Sequence, residues 1–138
     1  MRNVTSTVLN KWFNEVWNNG NESAIDELMT KEAYAHGIPA PDQVKGPEGF
    51  KQFFHDFRNQ FHDIKIDVDD VVSQDDIESA RTVVHAVHTA TGKNVTFEGI
   101  CMARIEDGKI AEAWNNYDFL SLHQQLGQKL TAASAEVV

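Results

Sequence analysis

The sequence predicts an α+β domain in which helices lie on one face of a curved, mostly antiparallel sheet. Three observations lead there. Apolar residues recur at helical spacing through the first sixty positions, the period drops to two from about residue 63, and helical spacing returns after residue 118.

The first helix is read from Val4, Val8, Leu9, Trp12, Phe13, Val16 and Trp17, whose spacings of three, four and seven place them on one face. Asn18-Asn19-Gly20 stops it. Asn21 can cap a second, shorter helix, with Glu22 in its first turn and Ile25, Leu28 and Met29 on the buried side. His36-Gly37-Ile38-Pro39-Ala40-Pro41 reads as a loop, because each residue before a proline is pushed out of the helical region. Gly46-Pro47-Glu48-Gly49 reads as a helix start, since proline at the first helical position loses no needed hydrogen bond and Glu48 suits the positive end. Phe50, Phe53, Phe54, Phe57 and Phe61 then form one aromatic stripe, expected in the core.

Beyond residue 63, Ile64, Ile66 and Val68 alternate with Lys65, Asp67 and Asp69. Residues 81–90 and 95–105 are rich in β-branched side chains and form further strands. Thr91-Gly92-Lys93-Asn94 supplies one turn. Asp107-Gly108 supplies a stronger one, because a type I′ turn needs positive φ at both central residues. Residues 110–118 make the last strand; Phe119, Leu120, Leu122, Gln125 and Leu126 return to helical spacing, and Gly127 ends it. These elements define a single domain over residues 1–130 followed by a loosely ordered, small-residue tail over 131–138.

The composition narrows the function. Twelve basic against 21 acidic side chains give a net charge of −9, which repels phosphate backbones and anionic lipid, so neither nucleic acid nor membrane is an expected partner. The carboxylates between Asp63 and Asp76 read as a solvated strand edge. No apolar run approaches a bilayer span. The single Cys101 forms no internal disulfide, which suits a reducing cytoplasm, and a small buried hydrophobe is its expected role. Metal-ligand motifs and glycine-rich phosphate cradles are missing, so no metal and no cofactor is expected, and any catalysis must come from side chains alone.

Gly46-Pro47-Glu48-Gly49-Phe50, then Arg104-Ile105-Glu106-Asp107-Gly108-Lys109-Ile110, then Glu112, Trp114, Asp118, Leu122 and Gln125-Leu126-Gly127 together resemble the SnoaL-like polyketide cyclase family. That family is the ester-cyclase branch of the superfamily similar to nuclear transport factor 2 (NTF2) and ketosteroid isomerase. The resemblance runs from the first helix to Gly127. It implies an NTF2-like, cone-shaped barrel with helices on the concave face of a mixed, mostly antiparallel sheet, often dimeric through the outer sheet surface. It also implies cofactor-free ring closure by acid/base catalysis on an apolar, carbonyl-bearing small molecule. The short connection after His88 departs from the longer hairpin common among the family's cyclases.

Asp118 is the first candidate for chemistry. On the last strand Glu112, Trp114, Asn116 and Asp118 share one face, and a carboxyl beside tryptophan is expected to be partly desolvated and to serve as general acid/base. The resemblance places the family's catalytic aspartate there; the alternative role is a helix N-cap. His88 and His36 are second-rank catalytic candidates, either facing the pocket or held structurally by hydrogen bonds. Strand alternation puts His88 with Thr82, Val84 and Ala86, opposite His85. Arg104, Trp114, Asn116 and Trp17 are the candidate substrate contacts, with an Arg104–Glu112 ion pair as the alternative for the guanidinium. A homodimer through the outer sheet face is expected, with Val83, Val87 and Tyr117 as contacts. A non-catalytic ligand-binding or dimerisation module is the competing function, and the two part on whether Asp118 faces an enclosed cavity or solvent.

Overall fold

A computed structural model describes residues 7–40 and 43–129. Val4, Pro41 and the 131–138 tail therefore lie outside the described residues. The elements are α1 (Val8–Trp12), continued by a π turn (Phe13–Asn18), α2 (Ser23–Leu28), β1 (Met29–His36), β2 (Val44–Lys45), α3 (Gly46–Gln60), β3 (Phe61–Gln74), β4 (Ile77–His88), β5 (Asn94–Glu106), β6 (Lys109–Tyr117) and α4 (Phe119–Gln125). The six strands form one mixed sheet in the order β2-β1-β6-β5-β4-β3, all neighbours antiparallel except β1 and β6.

Most of the expected elements are present. α3 starts at Gly46 with Pro47 in its first turn, as the proline dictates, and ends at Gln60, so Phe61 opens β3 instead of closing the helical stripe. Asp107 and Gly108 have φ of 53° and 76°, the pair that a type I′ turn needs. Asp118 accepts a hydrogen bond from the Ser121 amide and caps α4, and Gly127, at φ 82°, follows its end.

Three local readings are corrected. Met29 opens strand β1 instead of closing the second helix, and its alternation buries Met29, Ala33 and Ala35 while Tyr34 and His36 point outward. Thr30 is the only β-branched residue in that segment, so the strand is specified by its partners and not by propensity. The second helix has Glu22, not Asn21, at its N-cap, while Asn21 accepts from Ser23 Oγ at 2.7 Å just ahead of it. The first helix is not uniformly α. From Phe13 onward it widens into a π turn, closed by Asn19 N–H donating to Asn14 O at 2.8 Å, five residues back.

Side chains dock these helices onto the sheet. The Glu78 carboxylate of β4 accepts from the amides of Val8 (3.2 Å) and Leu9 (2.8 Å), joining a negative charge to the unpaired donors at the helix start. At the other end Asn18 acts as a surrogate strand residue: its amide donates to Ile66 O (2.9 Å) and its carbonyl accepts from Ile66 N (2.6 Å). That pair lies just past the register break in β3 between His62 and Lys65, where Asp63 takes φ 52°.

The core lies between helices and concave face. Trp17 packs against Phe50, Phe53, Phe54 and Phe57 with ring centroids 5.3–6.1 Å apart. Such contacts contribute about 0.5–1.5 kcal/mol each beyond burial. Trp12, Phe13, Val16, Phe50 and Phe54 are buried, with Phe53 and Phe57 partly so.

Candidate functional site

Side-chain alternation decides what the concave face presents. Inward come Ala80, Thr82, Val84 and Ala86 of β4, Val95, Phe97, Cys101 and Ala103 of β5, and Ala111 and Ala113 of β6. Small residues on β6 leave room under the helices. A cavity of about 80 Å³ results.

Nine aromatic side chains wall it: Trp12, Phe13, Trp17, Phe50, Phe53, Phe57, Phe97, Tyr117 and Phe119. Among the described lining residues the Asn115 amide, the Tyr117 hydroxyl and the Cys101 thiol are polar components, and none is a carboxylate, histidine, lysine or arginine. Asn115 donates through Nδ2 to the His36 carbonyl at 2.9 Å, where β1 ends beside β6. Gly37, at φ 79°, permits that approach: a Cβ there would sit 1.9 Å from Asn115 O. Gly99 does the same for Tyr117, whose ring crosses β5 where a Cβ would come within 2.5 Å of it. The Tyr117 hydroxyl is hydrogen-bonded to Thr82 Oγ1 at 2.5 Å, and Thr82 is fully buried.

Both ionisable groups of the cavity are held neutral. Burial pushes the Cys101 thiol up to about 12. Tyr117 is raised above the usual phenol range, chiefly by burial and then by the neighbouring Cys101, with the Thr82 hydrogen bond opposing. At neutral pH the cavity offers hydrogen bonds and no charge.

The structure divides the sequence-predicted residues. Trp17 lines the cavity. Asp118 does not: it is exposed, and its carboxylate caps α4 through Ser121. His88 shares the inward face with Thr82, Val84 and Ala86 but sits at the strand end, its ring 5.3 Å from that of Phe61 and its Nδ1 2.9 Å from Thr91 Oγ1. It is not a lining residue.

His36, Arg104 and Trp114 come together, but on the outer face. His36 Nε2 is 2.7 Å from Glu112 Oε2, its ring stacks 5.8 Å from Trp114, and Arg104 Nη2 lies 3.9 Å from Glu112 Oε1. Asn116 is exposed there too. The expected pocket face of the last strand is thus reversed. Charged and aromatic residues at Glu112, Trp114 and Asn116 suggested a site, whereas a face packed under helices requires the small residues Ala111 and Ala113. Asn115 and Tyr117, which share that face, are the cavity groups that the residue reading passed over; the paired alanines were the available signal. Tyr117 faces inward and so is not an outer-face contact, while Val83 and Val87 keep the outward side. Among the described residues no helix is long and apolar enough to cross a membrane, and no group of three His, Cys, Asp or Glu could hold a metal ion.

A mixed, curved six-stranded sheet whose helices enclose an aromatic cavity is the NTF2-like, ketosteroid isomerase-like fold. Residues 7–126 match the SnoaL-like polyketide cyclase family, and the chain belongs to it. Among solved structures it is similar to TsrD from Streptomyces laurentii, at 25% identity and TM-score 0.78 over 92% of this chain and 97% of that one. A candidate polyketide cyclase from Bacillus cereus has 29% identity and TM-score 0.78, covering 87% of this chain and 78% of the other. A protein with a ketosteroid isomerase-like fold from Catenulispora acidiphila shares the fold at TM-score 0.79 with 12% identity, over 90% and 95% of the two chains. No curated protein matches the sequence.

Proposed function

We propose that this SnoaL-like protein is a cofactor-independent cyclase or isomerase acting on a neutral, apolar, carbonyl-bearing small molecule held in the aromatic cavity. The observation that carries the reading is the placement of Tyr117 and Asn115 on a wall otherwise made of rings, aliphatic groups and the Cys101 thiol. A charged ligand would lose its hydration there without gaining a partner. A carbonyl gains hydrogen bonds, and these strengthen as the oxygen takes on enolate charge in a water-poor site. The proton of a carbon acid between two carbonyls is acidic enough to pass to hydroxide or buffer base from solvent at the cavity mouth, so the cavity folds the chain and stabilises the enolate oxygen left behind. Asp118, His36 and His88 take no part in this reading.

1-Phenylbutane-1,3-dione tests it, with deuterium exchange at the central methylene followed by NMR. The wild type should accelerate exchange over buffer, and Tyr117→Phe should remove about 10²-fold of that acceleration, the usual worth of an oxyanion donor. A second reading, a non-catalytic ligand-binding module, is favoured by the exposure of Asp118 and by the lack, among the described lining residues, of a side chain that titrates near neutral pH. Binding of the diketone without faster exchange would select it.

A homodimer completes the proposal. Ile100, Met102 and Trp114 are exposed on the outer face, with Val83 and Val87 beside them, and a second copy is the partner we assign. Light scattering at micromolar concentration should give twice the mass of one chain. The lone, buried thiol suits the reducing cytoplasm, which fractionation of the source cells would check.

A further inference from the structure

We infer that Thr82 is a positioning residue: its hydroxyl donates to Tyr117, which turns the Tyr117 proton toward the cavity and makes the phenol a donor to a ligand carbonyl. The inference rests on the carbonyl reading above and deepens it.

The assignment comes from counting protons and acceptors. Two hydroxyls meet at 2.5 Å, and one proton lies between the oxygens. The other must find an acceptor elsewhere. Thr82 is fully buried and, among the described residues, its hydroxyl has no partner except Tyr117. Were Tyr117 the donor, the Thr82 proton would be buried without an acceptor, and leaving a buried donor unmet is the costlier arrangement. Tyr117 is only partly buried and lines the cavity, so its proton has somewhere to go. The donor direction is therefore Thr82 to Tyr117. Accepting that bond also polarises the phenol and strengthens its own donation.

Local structure holds the pair in place. Thr82 faces Gly99 across β4 and β5, and Gly99 faces Tyr117 across β5 and β6, so the two hydroxyl residues reach each other over a glycine. A side chain at that position would meet the Tyr117 ring. The three residues work as one unit on three adjacent strands.

Acetophenone and 2-phenylpropene test the assignment, since they match in heavy-atom shape and differ in having C=O or C=CH2. The ratio of their dissociation constants reads donation to oxygen, and the carbonyl stretch of bound acetophenone reads it independently. The wild type should prefer acetophenone, with the stretch shifted to lower wavenumber, and Tyr117→Phe should abolish both effects. Thr82→Val should cut the preference about fivefold, the worth of one neutral hydrogen bond, and move the bound carbonyl stretch back toward higher wavenumber. Thr82→Ser, which keeps the hydroxyl and loses the methyl, should restore both to near wild type.

An unchanged or increased preference in Thr82→Val would overturn the inference, because Tyr117 would then have been donating to Thr82. Loss of preference in Thr82→Ser as well would assign the effect to packing and overturn it equally. A wild type with no preference would sink the carbonyl reading itself and the inference with it. Preference that Tyr117→Phe removes and Thr82→Val leaves alone would sink the inference only.

Discussion

Asp118 is the residue on which the resemblance and the local chemistry part company. Its carboxylate accepts the Ser121 amide at the start of α4, the alternative the sequence already offered. Asp118→Ala should lower stability by about 1 kcal/mol, and Asp118→Asn by less, since asparagine caps nearly as well. Both variants should exchange the methylene of the diketone like the wild type; denaturant titration and NMR check the two halves. Cys101 and Tyr117 carry a pH dependence whose sign follows from their raised pKa values. Each stays protonated in the folded chain where the unfolded chain ionises, so its contribution is fully present below the unfolded pKa and is lost as pH rises toward the folded one. For Cys101 that window opens near pH 9 and closes near 12. The urea midpoint should fall from pH 9 upward, and Cys101→Ala should flatten the first part of the decline. Gly99→Ala should displace Tyr117 and remove the acetophenone preference, at a folding cost of about 1–3 kcal/mol for overpacking.

At the scale of elements, what was legible is what local chemistry specifies. Pro47 fixes the start of α3, Asp107-Gly108 fixes the β5–β6 turn, and the phenylalanine spacing fixes the buried stripe. The rest depends on partners distant in sequence. β1 has little strand propensity and becomes a strand because β6 and β2 offer it ladders. The π turn has the same apolar spacing as an α-helix, and Asn18, which reads as a stop signal, is a bridge to Ile66 48 residues away. The inward face of β6 was misassigned for a related reason: alternation gives two faces, and only the packing of helices chooses between them. Glu78 shows how strongly one distant contact acts. Glu78→Ala leaves the first amides of α1 without their carboxylate and should cost about 1.5–3 kcal/mol, the range for a hydrogen bond to a charged group, measured by denaturant unfolding. The same variant should weaken benzoyl-group binding, because Trp12 and Trp17 ride on that helix.

For the whole molecule, the outer face is the open question of assembly. Val72, Ser79, Met102, Trp114 and His36 face one another in sequence across five strands, so one transverse row carries three exposed apolar side chains. Met102→Lys places a charge at the centre of that row. It should shift the scattering mass to that of one chain while leaving the fold and the cavity intact, as circular dichroism and acetophenone binding would verify. The −9 charge on each copy opposes association, so added salt should tighten the proposed dimer of the unaltered protein.

The parallel pairing of β1 with β6 also sets a timetable. His36 pairs with Trp114, 78 positions later, so the first strand emerges from the ribosome long before the strand that completes it. Until then the hairpins of β3, β4 and β5 can form in order, but the aromatic helices have an unfinished sheet to cover. Closing that long loop is the entropically slow step. The last strand of the sheet is thus the one that joins β1 to the rest, and it brings Asn115 and Tyr117 with it. The aromatic cavity closes only when that strand docks beside β1.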